Sequence, residues 1–553
     1  MFSFKKKIIF LLIFGILFLQ IPFLSLAAWT NTVIFNVDSN YDSIGRSQIE
    51  TQLIKTTNNF YFYADKDWYE KIADKNQLDN QLYNLANDFE YKTYPTLTNL
   101  LGSEDNPGVD NDSKIVIVLE PLKNTFGGYV KVGDQYLKKD FSQSNEGQII
   151  FLNADNIINM PLSLLDYELA HEFTHLIILK QKPDAETWFS ELMSEFSGTL
   201  LNYDVDNIVL KKRVQSLLYS TEINLKDWNN MEKDYGEIKL LGLYLQEQFG
   251  NQFFAEALKY PFNDGVISFN GAFKQLGINK TFDDVYLNWL ITNLVNNCQA
   301  NVQYCYKNPA LSSFQAISYT YYLPAQSNSS LSVSDSLKTW AGKWQKITGG
   351  QGILQLKFTI PEETPIQKIP YIIEDNTGAK TVGFLDFTAT NIQKVYINDM
   401  GSKNVAVYFV PFIGLSGQEG KTYYYSWKAT NLDSSSQTDK QIIDTLLKRI
   451  DELKKEVASL QLQLAMLQTN QGNSSCSVFS QDLYYGMNAS EVKCLQQFLV
   501  NLGENIYPEK LITGYYGPLT QAAVKRYQAL KKIITTGYFG PLTRAKVNSE
   551  LTN

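Results

Sequence analysis

Histidine is nearly missing from this chain. Among 553 residues there are two, His171 and His175, so a site built on three imidazoles is excluded. Cysteine is scarce as well. Cys298, Cys305, Cys476 and Cys494 are the whole complement; they show no Cys-x-x-Cys spacing and have no partner histidine, which argues against a cysteine zinc site. After residue 28 no run of 18 apolar residues occurs, which argues against further membrane spans. Positive charge is also short. With 49 Lys+Arg against 57 Asp+Glu the net charge is −8, and an acidic chain has little with which to neutralise phosphates, so nucleic acid is not an expected partner.

The amino terminus has Lys5-Lys6-Lys7, a long apolar run and then Ser25-Leu26-Ala27-Ala28. That is the pattern of a secretory signal over 1–28 with a small-residue cleavage site. The run is also long enough to stay as an uncleaved membrane anchor. Cleavage takes away three lysines and no acid, moving the net charge from −8 to −11. An exported protein meets oxidising conditions, so two local disulfides are predicted, Cys298–Cys305 and Cys476–Cys494, with free thiols as the alternative.

Both histidines fall within His171-Glu172-Phe173-Thr174-His175. On a helix, positions i and i+4 share a face, so both imidazoles can reach one metal ion. Glu172 sits on the neighbouring stripe, where it can polarise a metal-bound water. This H-E-x-x-H pattern is a zinc-site signature. Catalytic zinc takes three protein ligands and keeps one position open, so a carboxylate or thiolate must supply the third.

Downstream lies Glu186-Thr187-Trp188-Phe189-Ser190-Glu191-Leu192-Met193-Ser194-Glu195. The run from His171 to Glu195 resembles the gluzincin metallopeptidases, and among them the hyicolysin-like bacterial enzymes. Their third ligand is a glutamate on a second helix, in a W-x-N-E-G-type motif. The resemblance puts that ligand on Glu191 and makes Glu195, one turn later, an acceptor for a ligand histidine N–H. Ser190 stands where Asn is usual, and Leu192 where Gly is usual. The segment Asp234-Tyr235-Gly236-Glu237, leading into an apolar helix, resembles the gluzincin stretch that carries a catalytic tyrosine. This implies Tyr235 as an oxyanion donor, though one tyrosine among 34 can equally be a packing residue. The implied cofactor is Zn2+. The implied chemistry is peptide hydrolysis, with Glu172 carrying the proton from water to leaving amine. Gln148–Asn153 reads as a strand, and in the resembling enzymes an edge strand here pairs with the substrate backbone.

Lys114–Leu119 reads as a buried strand. The preceding Asn106–Asp112 reads as an ordinary turn, since it lacks EF-hand spacing, and Phe126-Gly127-Gly128-Tyr129 as a tight element between strands. The resemblance implies that residues 29–200 are the N-terminal lobe of a zincin-type unit, α+β in class, and 201–309 a helical second lobe. From 310 to 430, alternating Tyr- and Thr-rich runs separated by polar turns predict a β-sandwich acting as a spacer or presenting module. In 438–470 a heptad pattern puts Ile443, Ile450, Val457 and Leu464 at a and Leu446, Leu453, Leu460 and Leu467 at d. This predicts a coiled-coil helix, as a parallel homodimer or packed within the chain.

The last segment, 476–553, has an internal echo: Thr513-Gly514-Tyr515-Tyr516-Gly517-Pro518-Leu519-Thr520 returns as Thr536-Gly537-Tyr538-Phe539-Gly540-Pro541-Leu542-Thr543. Glycine allows a tight turn, proline opens the next helix and threonine helps to cap it. With Val492-Lys493-Cys494-Leu495-Gln496 and Ala523-Val524-Lys525-Arg526-Tyr527-Gln528, this resembles the peptidoglycan-binding-like domain, a small three-helix module. Tyr515 and Tyr538 either pack or contact ligand.

The multidomain chain is thus expected to be a secreted, cell-wall or cell-surface associated zinc metalloendopeptidase acting on peptide or protein substrates and tethered to peptidoglycan. No G-x-M-E-N stretch of the aminopeptidase branch is found. The alternatives are a peptidase of peptidoglycan cross-links and a non-enzymatic wall-anchored adhesin.

Overall fold

The computed structural model describes residues 29–123, 127–415, 417–432 and 478–551. The signal segment 1–28, the coiled-coil segment 438–470, Phe126 and Cys476 lie outside the described residues. The chain divides into two compact units, Met1–Asp433 and Ser434–Asn553.

The first unit begins with six strands, β1 (Thr32–Asn36), β2 (Gln48–Thr56), β3 (Phe60–Asp65), β4 (Ile115–Glu120), β5 (Gly128–Tyr129) and β6 (Ile149–Asn153). They form one sheet in the order β1-β2-β3-β4-β6-β5. β3, β4 and β6 are parallel, and β5 runs antiparallel to β6. Every residue of β4 and β6 is buried, as continuous apolar runs in central strands require. Their side chains alternate between two cores: Ile117, Leu119, Ile150 and Leu152 pack on one face, Val116, Val118, Ile149 and Phe151 on the other.

Helices α1 (Lys66–Lys71), α2 (Lys75–Asp88), α3 (Tyr94–Leu101) and α4 (Ala154–Asn159) precede the two that carry the motif residues, α5 (Leu162–Gln181) and α6 (Thr187–Leu200). α5 is buried on nearly all sides because the sheet, α2 and α6 surround it. The helical region holds α7 (Ile208–Leu217), the short strand β7 (Glu222–Asn224), α8 (Glu232–Phe249), α9 (Gln252–Lys259), α10 (Gly265–Gln275) and α11 (Phe282–Val295). Cys298 and Cys305 form the expected disulfide just beyond α11.

Then come β8 (Tyr319–Leu323), β9 (Ser330–Lys338), β10 (Ala341–Lys343), β11 (Gln345–Gly349), β12 (Gly352–Thr359), β13 (Lys368–Asp375), β14 (Lys380–Asp386), β15 (Ile392–Met400), β16 (Asn404–Phe409) and β17 (Thr422–Leu432). The expected sandwich of two separate sheets is corrected here. Nine of these strands form one hydrogen-bonded network curled towards a barrel. Its two halves are joined where Met400 of β15 pairs with Asn404 of β16 across a tight turn. Phe358 and Trp427 from one half meet Phe409 from the other inside the curl. Nor is the region a free spacer. β10 pairs with β7 of the helical region, Trp340 packs on Phe282 and Tyr286 of α11, and Trp344 Nε1 donates to the Leu290 carbonyl at 3.1 Å. Large apolar side chains on the outer face could not stay in water, so the two regions share a core.

The second unit has α12 (Ser490–Asn501), α13 (Pro518–Leu530) and α14 (Pro541–Leu551) around Leu495, Tyr516, Val524 and Phe539. Cys494 is disulfide-bonded; its expected partner lies outside the described residues. Among the described residues no helix is long and apolar enough to cross a membrane.

Candidate metal centre

α5 brings His171, Glu172 and His175 to one cleft, and α6 brings Glu191 opposite them. The two Nε2 atoms are 3.2 Å apart. Glu191 Oε2 lies 3.3 Å from His171 Nε2, and Oε1 3.6 Å from His175 Nε2. One donor atom from each of the three residues falls within 4.8 Å of the others, the single such cluster among the described residues. Two buried carboxylate oxygens here, Glu172 Oε2 and Glu191 Oε2, have no hydrogen-bond partner. Buried polar atoms without partners are costly, and they cluster where a ligand completes them. Two imidazoles and a carboxylate are a donor set that zinc accepts. The residues therefore fit the ion that the motif implies.

The electrostatics follow from burial and mutual charge. Burial raises the Glu191 carboxyl, but His175 and His171 outweigh it and hold it below its ordinary value. Burial draws His175 down to about 4, against an upward pull from Glu191; the neutral ring keeps a lone pair for a metal. Burial also opposes the charge on His171, yet the Glu191 carboxylate 3.3 Å away raises it to about 9. A bound cation would take that proton's place, so metal uptake should release protons. Burial pushes Glu172 up to about 8, helped by Glu191 and Glu168 and opposed by His171. A carboxyl poised near neutrality can both take and give a proton.

Ser190 Oγ lies 3.0 Å and Ser194 Oγ 3.3 Å from His175 Nδ1. Accepting from Nδ1–H fixes the ring and leaves Nε2 for an ion. The serine that replaces the motif's usual asparagine thus still supports the histidine. Glu195 does something other than the sequence reading gave it. No imidazole N–H reaches it. Its Oε2 accepts from Tyr167 at 2.5 Å and its Oε1 from Arg213 at 2.9 Å, with Lys239 Nζ 3.4 Å away. Burial opposes its charge, but Arg213 and Lys239 hold its carboxyl down at about 2. Glu195 is turned into the helix packing, where two cations compete for it more strongly than a neutral ring.

Tyr235 of α8 lines the same cleft as His171, Glu172, His175 and Glu191, a cavity of about 260 Å³. Its hydroxyl donates to Asn230 Oδ1 at 2.8 Å, and the Arg213 guanidinium lies 4.5 Å from its ring centroid. Burial, then Glu191, raise its pKa, so it stays a protonated donor. Tyr41 and Asn230 line the cleft too, and sequence reasoning missed both. Tyr41 lies about 130 residues before the motif in a loop, stacked on Tyr129 at 4.7 Å, and nothing local marks it among so many tyrosines.

The strand expected over Gln148–Asn153 is present as β6, and the sheet order settles which strand is the edge. β6 is flanked on both sides, by β4 and β5, so the edge is β5. A Cβ at Gly128 would sit 2.7 Å from the Phe151 carbonyl oxygen and 3.0 Å from Glu172 Cγ; one at Gly127 would sit 2.6 Å from Glu168 Oε1. Glycine at both places lets the edge lie down on the motif helix.

In the second unit the echo becomes a repeated clamp. Gln496 Oε1 accepts from Gly514 N at 2.8 Å, while its Nε2 donates at 2.9 Å to the Tyr515 carbonyl and to Thr520 Oγ1. Gln528 does the same to Gly537 N, the Tyr538 carbonyl and Thr543 Oγ1 at 2.8, 2.8 and 3.0 Å. The second aromatic of each echo, Tyr516 or Phe539, is buried, whereas Tyr515 and Tyr538 stay exposed.

Residues 488–547 match the family model of the peptidoglycan binding domain. No curated protein matches the chain. Among solved structures, the Yersinia pseudotuberculosis-derived mitogen is 10% identical with a TM-score of 0.15, over 19% of this chain and 89% of that one. PliG of Aeromonas hydrophila, a periplasmic inhibitor of g-type lysozyme, is 9% identical with a TM-score of 0.15, over 21% and 98%. The CBM51-2 and INT domains of Clostridium perfringens ZmpB, solved with GlcNAc, are 11% identical with a TM-score of 0.14, over 36% of each chain. At these scores the structural likenesses carry no argument, and residues 488–547 contain a peptidoglycan-binding domain.

Proposed function

We propose that the chain is a zinc-dependent endopeptidase of the gluzincin type, held at the cell wall by its C-terminal module. The observation that carries the reading is the convergence of His171, His175 and Glu191 donor atoms within 4.8 Å, with the buried Glu172 carboxylate beside them. We read β1–β6 with α5 and α6 as a zincin-type unit. His171, His175 and Glu191 would hold the zinc, which when bound would supply a Lewis acid for acidifying water and polarising a peptide carbonyl. Glu172 takes the proton of the attacking water and returns it to the leaving amine. Tyr235 donates its hydroxyl hydrogen to the developing oxyanion once it leaves Asn230. β5, the open edge beside Glu172, offers backbone groups with which an extended substrate aligns.

Elemental analysis tests the reading first. About one zinc per chain, lost in Glu191→Ala, is the expected result; a wild-type protein that takes up none overturns it. The wall-binding module favours a second reading, in which the peptide stems of peptidoglycan are the substrate. Release of new amino groups from purified sacculi, compared with release from unfolded casein, separates the two.

A further inference from the structure

The C-terminal module is built twice over. Beyond the echoed turns, Lys493 stands three residues before the clamp Gln496, and Lys525 three before Gln528. Each lysine stem crosses the first glycine of its echo: a Cβ at Gly514 would meet Lys493 Cε at 3.0 Å, and one at Gly537 would meet Lys525 Cε at 2.8 Å. Both of those glycines have positive φ, 82° and 73°, a conformation that favours glycine. The tyrosine that follows lays its ring on the second glycine of the echo. A Cβ at Gly517 would meet Tyr515 Cδ1 at 3.3 Å, and one at Gly540 would meet Tyr538 Cε1 at 2.4 Å. Backbone on one side leaves the other side to account for exposures of 44% and 43%. Both lysines are exposed, and neither has an ion pair among the described residues.

Resting on the reading of this module as a wall binder, we infer that it has two similar subsites for peptidoglycan, Tyr515 with Lys493 and Tyr538 with Lys525, the second with its tyrosine hydroxyl donating to Asp482 at 2.8 Å. Each tyrosine face takes the apolar face of a sugar ring, and each ammonium takes a carboxylate of the same polymer. A rigid ring backed by glycine loses little entropy on binding, and an unpaired ammonium has no partner to give up. A polymer that repeats sugar and carboxylate suits a receptor that repeats ring and cation, and two linked contacts bind far better than one. The clamps Gln496 and Gln528 hold both turns in one shape, so the glycines serve binding as well as turning.

The test is titration of the full chain against purified sacculi, beside Tyr515→Ala/Tyr538→Ala and Lys493→Glu/Lys525→Glu. Thermal unfolding checks the fold, which exposed positions should leave intact. The tyrosine pair should lose at least about tenfold in affinity. The lysine pair should also weaken binding and flatten its dependence on salt. If both double variants bind as the wild type does, the two-subsite inference falls while wall binding stands. If the wild type itself does not bind sacculi, both fall.

Discussion

The cleft of the first unit and the echoed turns of the second handle buried polar groups in opposite ways. In the cleft, Glu172 and Glu191 each leave a buried oxygen without a hydrogen bond, and the two histidines are driven apart in pKa, to about 9 and about 4. In the module, the buried amides of Gln496 and Gln528 are satisfied on both their oxygen and their nitrogen. Incomplete bonding leaves room for a further partner; complete bonding holds a scaffold. In the cleft the buried groups themselves are the proposed site. In the module they hold turns whose exposed side chains are the inferred subsites.

Several experiments would break or sharpen that contrast. Glu172→Gln keeps the shape of the cleft and removes the proton carrier. Peptidase turnover should fall by about 10²–10⁴-fold with zinc content unchanged; kcat and elemental analysis on one preparation check this. Retained turnover would make Glu172 a bystander. Ser190→Ala, which removes the oxygen nearest His175 Nδ1, should weaken zinc affinity by about tenfold or more, measured by competition with a chelator. An unchanged affinity would show that Ser194 alone orients the ring.

On the scaffold side, Gln496→Leu strands Gly514 N and the Tyr515 carbonyl. It should cost about 2–4 kcal/mol in unfolding free energy, and Gln528→Leu a similar amount. A large difference between the two would mean that the repeated clamp is not energetically repeated. A last experiment concerns acid. Glu195 has its carboxyl at about 2 in the fold against an ordinary 4.5, held there by Arg213 and Lys239 despite burial. Its stabilising contribution is therefore present above about 4.5 and is lost as pH falls towards 2. Glu195→Gln should flatten the acid limb of a stability–pH curve; an unchanged limb would place the acid sensitivity elsewhere.

Some of this was legible in the sequence. His171 and His175 could be placed on one helix face because spacing on a helix fixes direction, and the apolar runs at Ile115–Leu119 and Ile149–Leu152 read as strands, which β4 and β6 are. The repeat of Thr-Gly-Tyr turns was visible as letters. Other features were not. Glu195 and Arg213 are 18 residues apart and paired only because α6, α7 and α8 pack together, so the sequence reading gave Glu195 the wrong neighbour. Tyr41 joined the cleft through a loop that no periodicity describes. Which strand forms the edge beside the motif helix, β6 or β5, was not readable, because strand order is a property of the whole sheet. The link between the two halves of the nine-stranded network lies in a single turn at Met400–Asn404, which no strand pattern announces.

By itself the sequence determined which atoms are available: two imidazoles at one helical turn, glutamates within reach, and duplicated turns with an aromatic in each. These are local facts, set by covalent spacing and by helix and turn geometry over a few residues. Only the tertiary structure decided which carboxylate faces the imidazoles, which strand is left unpaired, and which ring of each echo stays in water. Those choices depend on packing between segments distant in sequence, where burial and competition for partners select one arrangement from the many that local geometry allows.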